Sequence, residues 1–158
     1  QAQPNAPLRT GGRPGDTLWV TGTIGGGGFG PDGEPRDLAR YLRPMPRVAE
    51  GQAIATLATA MMDVSDGLLI DARRLAEASS VAIAIDLDAI PLALPDLDAI
   101  EAATAGDDYE LLFTLHADTA PPVSATRIGT ASAGTGLTLT ANGAPVPLPG
   151  KLGYSHGA

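Results

Sequence analysis

Apolar residues recur along this chain with two different periods. From Gly67 to about Ala78, Leu68, Leu69, Ala72, Leu75 and Ala76 fall at three- and four-residue spacings, with Arg73, Arg74 and Glu77 between them. That spacing predicts an amphipathic helix with one buried face. The period then changes: Val81, Ile83, Ile85 and Leu87 alternate with Ala82, Ala84 and Asp86, as in a strand with one small-residue face. Tyr109 to Leu115 is strongly apolar and predicts a buried strand, entered from a Gly106-Asp107-Asp108 turn. Asp16 to Ile24 also reads as a strand, because Leu18, Val20 and the neighbouring threonines suit a pleated surface.

Weaker patterns fill in the rest. Asp37 to Leu42 predicts a short helix ended by Pro44 and Pro46, and Val48 to Ala60 a second helix with Ile54, Leu57 and Ala58 inward. Asp96 to Ala103 predicts another short helix. Near the end, Leu137 to Ala141 and Ala144 to Leu148 flank Asn142-Gly143, the pair that a tight hairpin needs for positive φ, while Pro145 and Pro147 restrict the second strand to an edge. Gly25 to Gly30 reads as a flexible loop, since neither a Lys-Ser/Thr pair nor a dinucleotide fingerprint follows its glycines. No long repeat is present. The order of elements predicts one mixed α+β domain, a β-sheet covered by helices.

Composition narrows the partners. With 158 residues, 44% hydrophobic and 18% charged, the chain suits a single globular domain. A net charge of -8 with only ten Lys and Arg argues against nucleic acid, whose phosphates require a basic surface. No apolar run approaches membrane-spanning length, so no membrane partner is expected. Cysteine is absent, which excludes disulfides and thiolate chemistry.

Candidate chemistry concentrates in two acidic segments. Asp63-Val64-Ser65-Asp66-Gly67 precedes the strongest helix. A helix N-terminus carries unpaired N–H groups and a partial positive charge that attract phosphate, while carboxylates attract Mg²⁺ bound to that phosphate. The same residues also fit a plain helix cap, with Ser65 or Asp66 as N-cap and Asp63 solvated. The second segment, Gly106-Asp107-Asp108-Tyr109-Glu110, stands at the mouth of the predicted buried strand, where its acids suit either a site or contacts to turn amides. Arg43 and Arg47 flank the two prolines and suit either ion pairs at a solvated bend or an anion contact.

Read together, D-V-S-D-G-L at residues 63–68 and G-D-D-Y-E-L-L-F at 106–113 resemble the C-terminal half of the thiamine-monophosphate kinase family. Leu8-Arg9-Thr10-Gly11-Gly12-Arg13-Pro14-Gly15-Asp16, Leu42-Arg43-Pro44-Met45-Pro46-Arg47 and Gly153-Tyr154-Ser155-His156 agree in order and spacing, so the resemblance covers nearly the whole chain. It departs from the family in the glycine-rich loop, and in Ser155 where the closing motif has Asp. The resemblance implies an aminoimidazole-ribonucleotide-synthetase C-terminal-domain-like fold over residues 16–158, with residues 1–15 as an interdomain linker remnant. It also implies an N-terminal ATP- and metal-binding domain absent from this chain, which opens on Gln1; the chain is expected to be a fragment inactive alone.

The implied reaction is transfer of the γ-phosphoryl group of ATP to thiamine monophosphate, in a cytoplasmic enzyme that forms a homodimer when complete. By residue, the resemblance implies Asp63 and Asp66 as ligands of several Mg²⁺ ions, Ser65 and Arg9 as ATP contacts, and Asp107 and Tyr154 as thiamine-phosphate contacts. Tyr154 falls in a Gly-rich tail expected to be mobile. No residue is implied as a catalytic acid or base, and Asp108, Arg43, Arg47 and His156 receive no role. Two alternatives stand beside this one: another ATP-dependent enzyme with the same two-domain plan, or a non-catalytic scaffold domain whose acidic turns are caps.

Overall fold

A computed structural model of the chain describes residues 6–155. Seven strands form one sheet: β1 (Thr17–Thr21), β2 (Ala60–Val64), β3 (Ala82–Asp86), β4 (Glu110–Leu115), β5 (Ala125–Ser132), β6 (Gly136–Ala141) and β7 (Ala144–Val146), in the spatial order β2-β4-β1-β5-β3-β6-β7. Every pairing is antiparallel except β3 with β6. Among the described residues four α-helices accompany them: α1 (Leu38–Leu42), α2 (Val48–Ile54), α3 (Leu68–Ser79) and α4 (Ala99–Thr104). This is the mixed, helix-covered sheet that the residue order predicts.

Helix α3 packs against β2, β3 and β6. Its inward Leu68, Leu69, Ala72, Leu75 and Ala76 join Leu18, Val20, Met62, Val64, Ile83, Ile85, Leu112, Ile128 and Leu139 in the main core. On the opposite face a smaller cluster centres on Ile54, Phe113 and Leu115, with Trp19, Met61 and Leu111 against it. Strand β4 is therefore covered on both sides, as its apolar run predicts, and full burial of Phe113 alone contributes roughly 1.5–3 kcal/mol.

Two strands differ from the pattern. The helix predicted over Val48 to Ala60 stops at Ile54, and Ala60 instead opens β2 at the sheet edge. Only Ile54 of that helix is fully buried; Leu57 is 41% exposed, and Thr59 is drawn into the sheet by its N–H to Thr114 O at 2.9 Å and its hydroxyl to Asp16 at 2.6 Å. Strand β5 carries mostly Thr, Arg, Gly and Ser, with Ile128 and Ala131 as its buried residues, so it has little apolar period although it lies centrally between β1 and β3. Its Gly129 is required there, since a Cβ would stand 2.1 Å from Ala84 O.

Both chain ends of the described region are docked. Met61 N–H donates to Leu8 O at 3.2 Å along the β2 edge, and Ser79 Oγ donates to Arg9 O at 2.6 Å. The part of the predicted linker from residue 6 onward is thus hydrogen-bonded to β2 and α3 while most of its residues stay exposed; residues 1–5 lie outside the described residues. At the other end, Ile70 N–H donates to Leu152 O at 3.2 Å and Tyr154 N–H to Asp66 O at 2.7 Å. The tail carrying Tyr154, expected to be mobile, is pinned to the start of α3.

Candidate active site

Four segments meet where β2 gives way to α3: the β2–α3 turn, the turn entering β4, the glycine loop after β1, and the tail. The two turns are joined through backbone, Asp107 N–H donating to Ser65 O and Tyr109 N–H to Val64 O, both at 2.8 Å. Asp107 and Tyr109 hold φ values of 63° and 53°, a left-handed conformation uncommon for residues with a Cβ, and so project to the same side. The Tyr109 hydroxyl donates to Asp107 Oδ1 at 2.9 Å. Together with Gly27, Gly28, Phe29, Ser65, Asp66, Gly106 and Tyr154 they line a cavity of about 570 Å³.

The field in this cavity is negative. Its clearest sign is the Tyr109 hydroxyl, held above the usual tyrosine range first by its hydrogen bond to Asp107, then by burial and by the charges of Asp107, Asp63 and Asp66. The first turn of α3 is shaped by Asp71, fully buried, whose Oδ2 accepts from both Ser65 N–H and Asp66 N–H at 3.0 Å. Arg74 joins the acids, donating to Asp66 Oδ2 at 2.5 Å and Asp71 Oδ1 at 2.7 Å, and these pairs raise its own pKa, Asp66 most. The residue immediately before α3 is Gly67, and no side chain caps it. The capping role open to Ser65 and Asp66 in the sequence is therefore not the one they hold.

Of the six residues implied by the resemblance, Ser65, Asp66, Asp107 and Tyr154 line this one cavity. Asp63 is exposed at the β2 end beside it, near enough to act on Tyr109. Arg9 stands apart, exposed, with its carbonyl on Ser79 at the far end of α3. That helix has 12 residues, which separates its ends by about 18 Å. His156 lies outside the described residues. His116 stands away from the cavity with Nδ1 3.2 Å from Asp16.

For magnesium, the donor chemistry fits. Two hard carboxylates at the end of β2 are what a Mg²⁺ ion takes from a protein when phosphate and water complete its octahedron. Among the described residues, no group of three or more His, Cys, Asp or Glu is arranged to hold a metal ion by itself.

A second arrangement went unread in the sequence. Glu110, buried at the start of β4, accepts from Thr21 Oγ1 at 2.7 Å, Arg40 Nη2 at 2.8 Å, and Arg47 Nε and Nη2 at 2.8 and 2.9 Å. Arg47 is thus held in an ion pair, which raises its pKa. Arg40 and Arg47, with Arg43 and Met45, line an adjoining cavity of about 540 Å³. Asp108, two residues earlier, is buried against the glycine loop. The period-two spacing of Asp108 and Glu110 was the one available signal that both turn inward, away from Asp107 and Tyr109.

Comparison with known proteins gives consistent relatives. Residues 13–142 match the family described as AIR synthase related protein, C-terminal domain. The thiamine-monophosphate kinase of Caulobacter vibrioides is 35% identical over 179 residues, covering 95% of this chain and 50% of the relative. That of Methanospirillum hungatei is 41% identical over 159 residues, with 95% and 53% covered. The structure of AaThiL complexed with AMPPCP and TMP superposes with a TM-score of 0.74 at 32% identity, covering 93% of this chain and 53% of that one. The chain spans about half the length of the relatives it matches.

Proposed function

We propose, from the premise that this chain belongs to the family of AIR synthase related proteins through their C-terminal domain, that it is the substrate-cavity half of a thiamine-monophosphate kinase. The observation that carries this reading is the convergence of Ser65, Asp66, Asp107 and Tyr154 on one cavity from three separate segments. The similarity to kinases of that name and to a structure bound to AMPPCP and TMP supports it.

The chemistry suits these groups. Thiamine monophosphate is a phosphate monoester with a second pKa of about 6, so at neutral pH the attacking oxygen is already anionic. No strong general base is needed. What remains is alignment and neutralisation of two polyanions. Asp63 and Asp66 would hold Mg²⁺, which supplies that neutralisation when bound. Ser65 would contact ATP at the α3 N-terminus, and Arg9 would meet its phosphates from outside the cavity. Asp107 and the Tyr154 ring would receive the cationic thiazolium and its flat partner ring.

On this reading the 158-residue chain has no turnover by itself, because it spans about half the length of the kinase it resembles and the rest of the ATP and metal site would lie in the other half. A homodimeric, cytoplasmic complete protein belongs to the same reading. The alternative of a scaffold domain loses its main support, since Gly67 and not Ser65 or Asp66 precedes the helix. The test is phosphoryl transfer from Mg-ATP to thiamine monophosphate by the chain joined to its N-terminal domain, with the chain alone as control. Failure of the joined protein to make thiamine diphosphate sinks the proposal.

A further inference from the structure

The residue between the two cavity-facing side chains of the β4 turn has no role in the scheme above, yet it makes the most demanding contacts nearby. Asp108 has a side chain that is 0% exposed. Its Oδ2 accepts from Gly25 N–H at 2.8 Å and its Oδ1 from Gly27 N–H at 3.1 Å. Arg40 Nη2 lies 3.7 Å from the carboxylate and donates to the Asp108 carbonyl at 2.9 Å. Two alternate amides of one loop thus converge on a single buried anion, the geometry of a backbone nest.

The same loop forms the cavity wall next to Asp107. Gly27 and Gly28 line the cavity with Phe29. A Cβ at Gly27 would stand 2.1 Å from Asp107 O, so loop and turn are in direct backbone contact. Gly25 takes a φ of +91° to aim its amide inward. Other bonds tie this loop to different neighbours, with Ile24 N–H on Pro91 O and Arg36 N–H on Gly28 O. The two bonds to Asp108 are the ones that reach the turn carrying Asp107 and Tyr109.

We propose that Asp108 is a positioning residue: its carboxylate clamps the glycine loop to the Asp107 turn and so fixes the width of the cavity between Phe29 and Asp107. A carboxylate suits the task because it offers acceptors on both oxygens, and charge-assisted bonds are stronger than neutral ones. Asn offers one acceptor and turns an NH₂ toward the other glycine N–H, breaking one arm of the clamp at nearly constant volume. That the cavity takes thiamine monophosphate rests on the function proposed above; the clamp itself does not.

The experiment has two arms on Asp108→Asn. In the 158-residue chain, hydrogen exchange should accelerate roughly tenfold or more at the Gly25 to Phe29 amides, while Leu112 to Leu115 in β4 keep their protection. In the complete enzyme, KM for thiamine monophosphate should rise roughly tenfold, with kcat and KM for ATP changed by less than about threefold. Unchanged loop exchange overturns the clamp, as does equal loss of protection in β4, which marks a general packing residue. Faster loop exchange with an unmoved KM overturns the claim that the clamp sets the cavity. If the wild-type enzyme does not phosphorylate thiamine monophosphate, the functional reading fails while the exchange arm still decides the clamp. Should Asp108→Asn not fold, Gly27→Ala pushes the loop off Asp107 from the other side and must give the same pattern.

Discussion

Arg74, on the second turn of α3, donates to Asp66 Oδ2 at 2.5 Å. A carboxylate proposed to bind magnesium is thereby met by a cation of its own chain, held in place by buried Asp71. In the complete protein, Arg74→Gln should tighten Mn²⁺ or Mg²⁺ binding several-fold, because the ion no longer competes with the guanidinium. It should also lower stability by about 1–3 kcal/mol, since Asp71 loses a charged partner. Titration followed by Mn²⁺ electron paramagnetic resonance, with urea unfolding alongside, measures both. Weaker metal binding in the variant would count against Asp66 as a ligand.

Tyr154 is 56% exposed, with Lys151 Nζ 6.0 Å from its ring centroid, while its backbone is pinned to Asp66. Its ring thus stands at the cavity wall without being a core residue. In the complete enzyme, Tyr154→Ala should raise KM for thiamine monophosphate several-fold, reflecting a stacking and cation–π contribution of about 0.5–2 kcal/mol. KM for ATP should hardly move, and Tyr154→Phe should be mild. An unchanged thiamine-phosphate KM in the alanine variant removes Tyr154 from the substrate site.

Glu110 is a structural hub. Glu110→Ala leaves Arg40, whose side chain is 16% exposed, with the more distant Asp108 as its acidic partner, and Arg47, at 31%, with Glu50. The expected loss is about 3 kcal/mol, the low end for breaking a buried ion pair, because both guanidiniums keep some water. Chemical denaturation of this chain measures it, and Arg43→Ala, an exposed neighbour, should stay within about 0.5 kcal/mol. Equal losses for the two would show that the Glu110 pairs contribute little.

Asp108 carries a pH signature. Burial pushes its carboxyl above the ordinary 3.8, outweighing the lowering by the Gly25 and Gly27 amides and Arg40, with Glu110 raising it further. The folded state therefore binds this proton more tightly than the unfolded state. The corresponding stabilisation is full below pH 3.8 and is lost as pH rises from there through the raised folded value. Unfolding free energies of wild type and Asp108→Asn, measured across this range, should differ by a component that falls with pH. A difference rising with pH reverses the sign and refutes the assignment.

Much of this was legible where local pattern and packing agree. The helical face of α3, the alternation of β3 and the Asn142-Gly143 turn, with φ of 50° and 73°, each repeat a strong period or a specific turn chemistry. Strand β5 was not legible because its position is central while its residues are small and polar, its fit depending on the Gly129 approach to Ala84. Strand β2 was hidden behind a helical pattern that continues past the real end of α2. In the site, the acidic motifs pointed to Asp66 and Asp107, but the pairing of Arg40 with Glu110 spans 70 residues, and no local period encodes it. The pinned tail was unreadable for the same reason: its glycine allows close approach to Asp66 and Ile70 as readily as it allows motion.

The two rims of the sheet are closed by different means. At β7, Pro145 has no N–H to offer an incoming strand. At β2, the Met61 N–H is already taken by Leu8, from a stretch of chain that resembles mere connection. That stretch acts as a guard rail: without it, β2 would present an open template beside the acidic turn, and molecules could join rim to rim into polymers. Residues 6–15 therefore bear on colloidal behaviour as much as on domain linkage, and trimming them should raise the tendency of the β2 rim to self-associate.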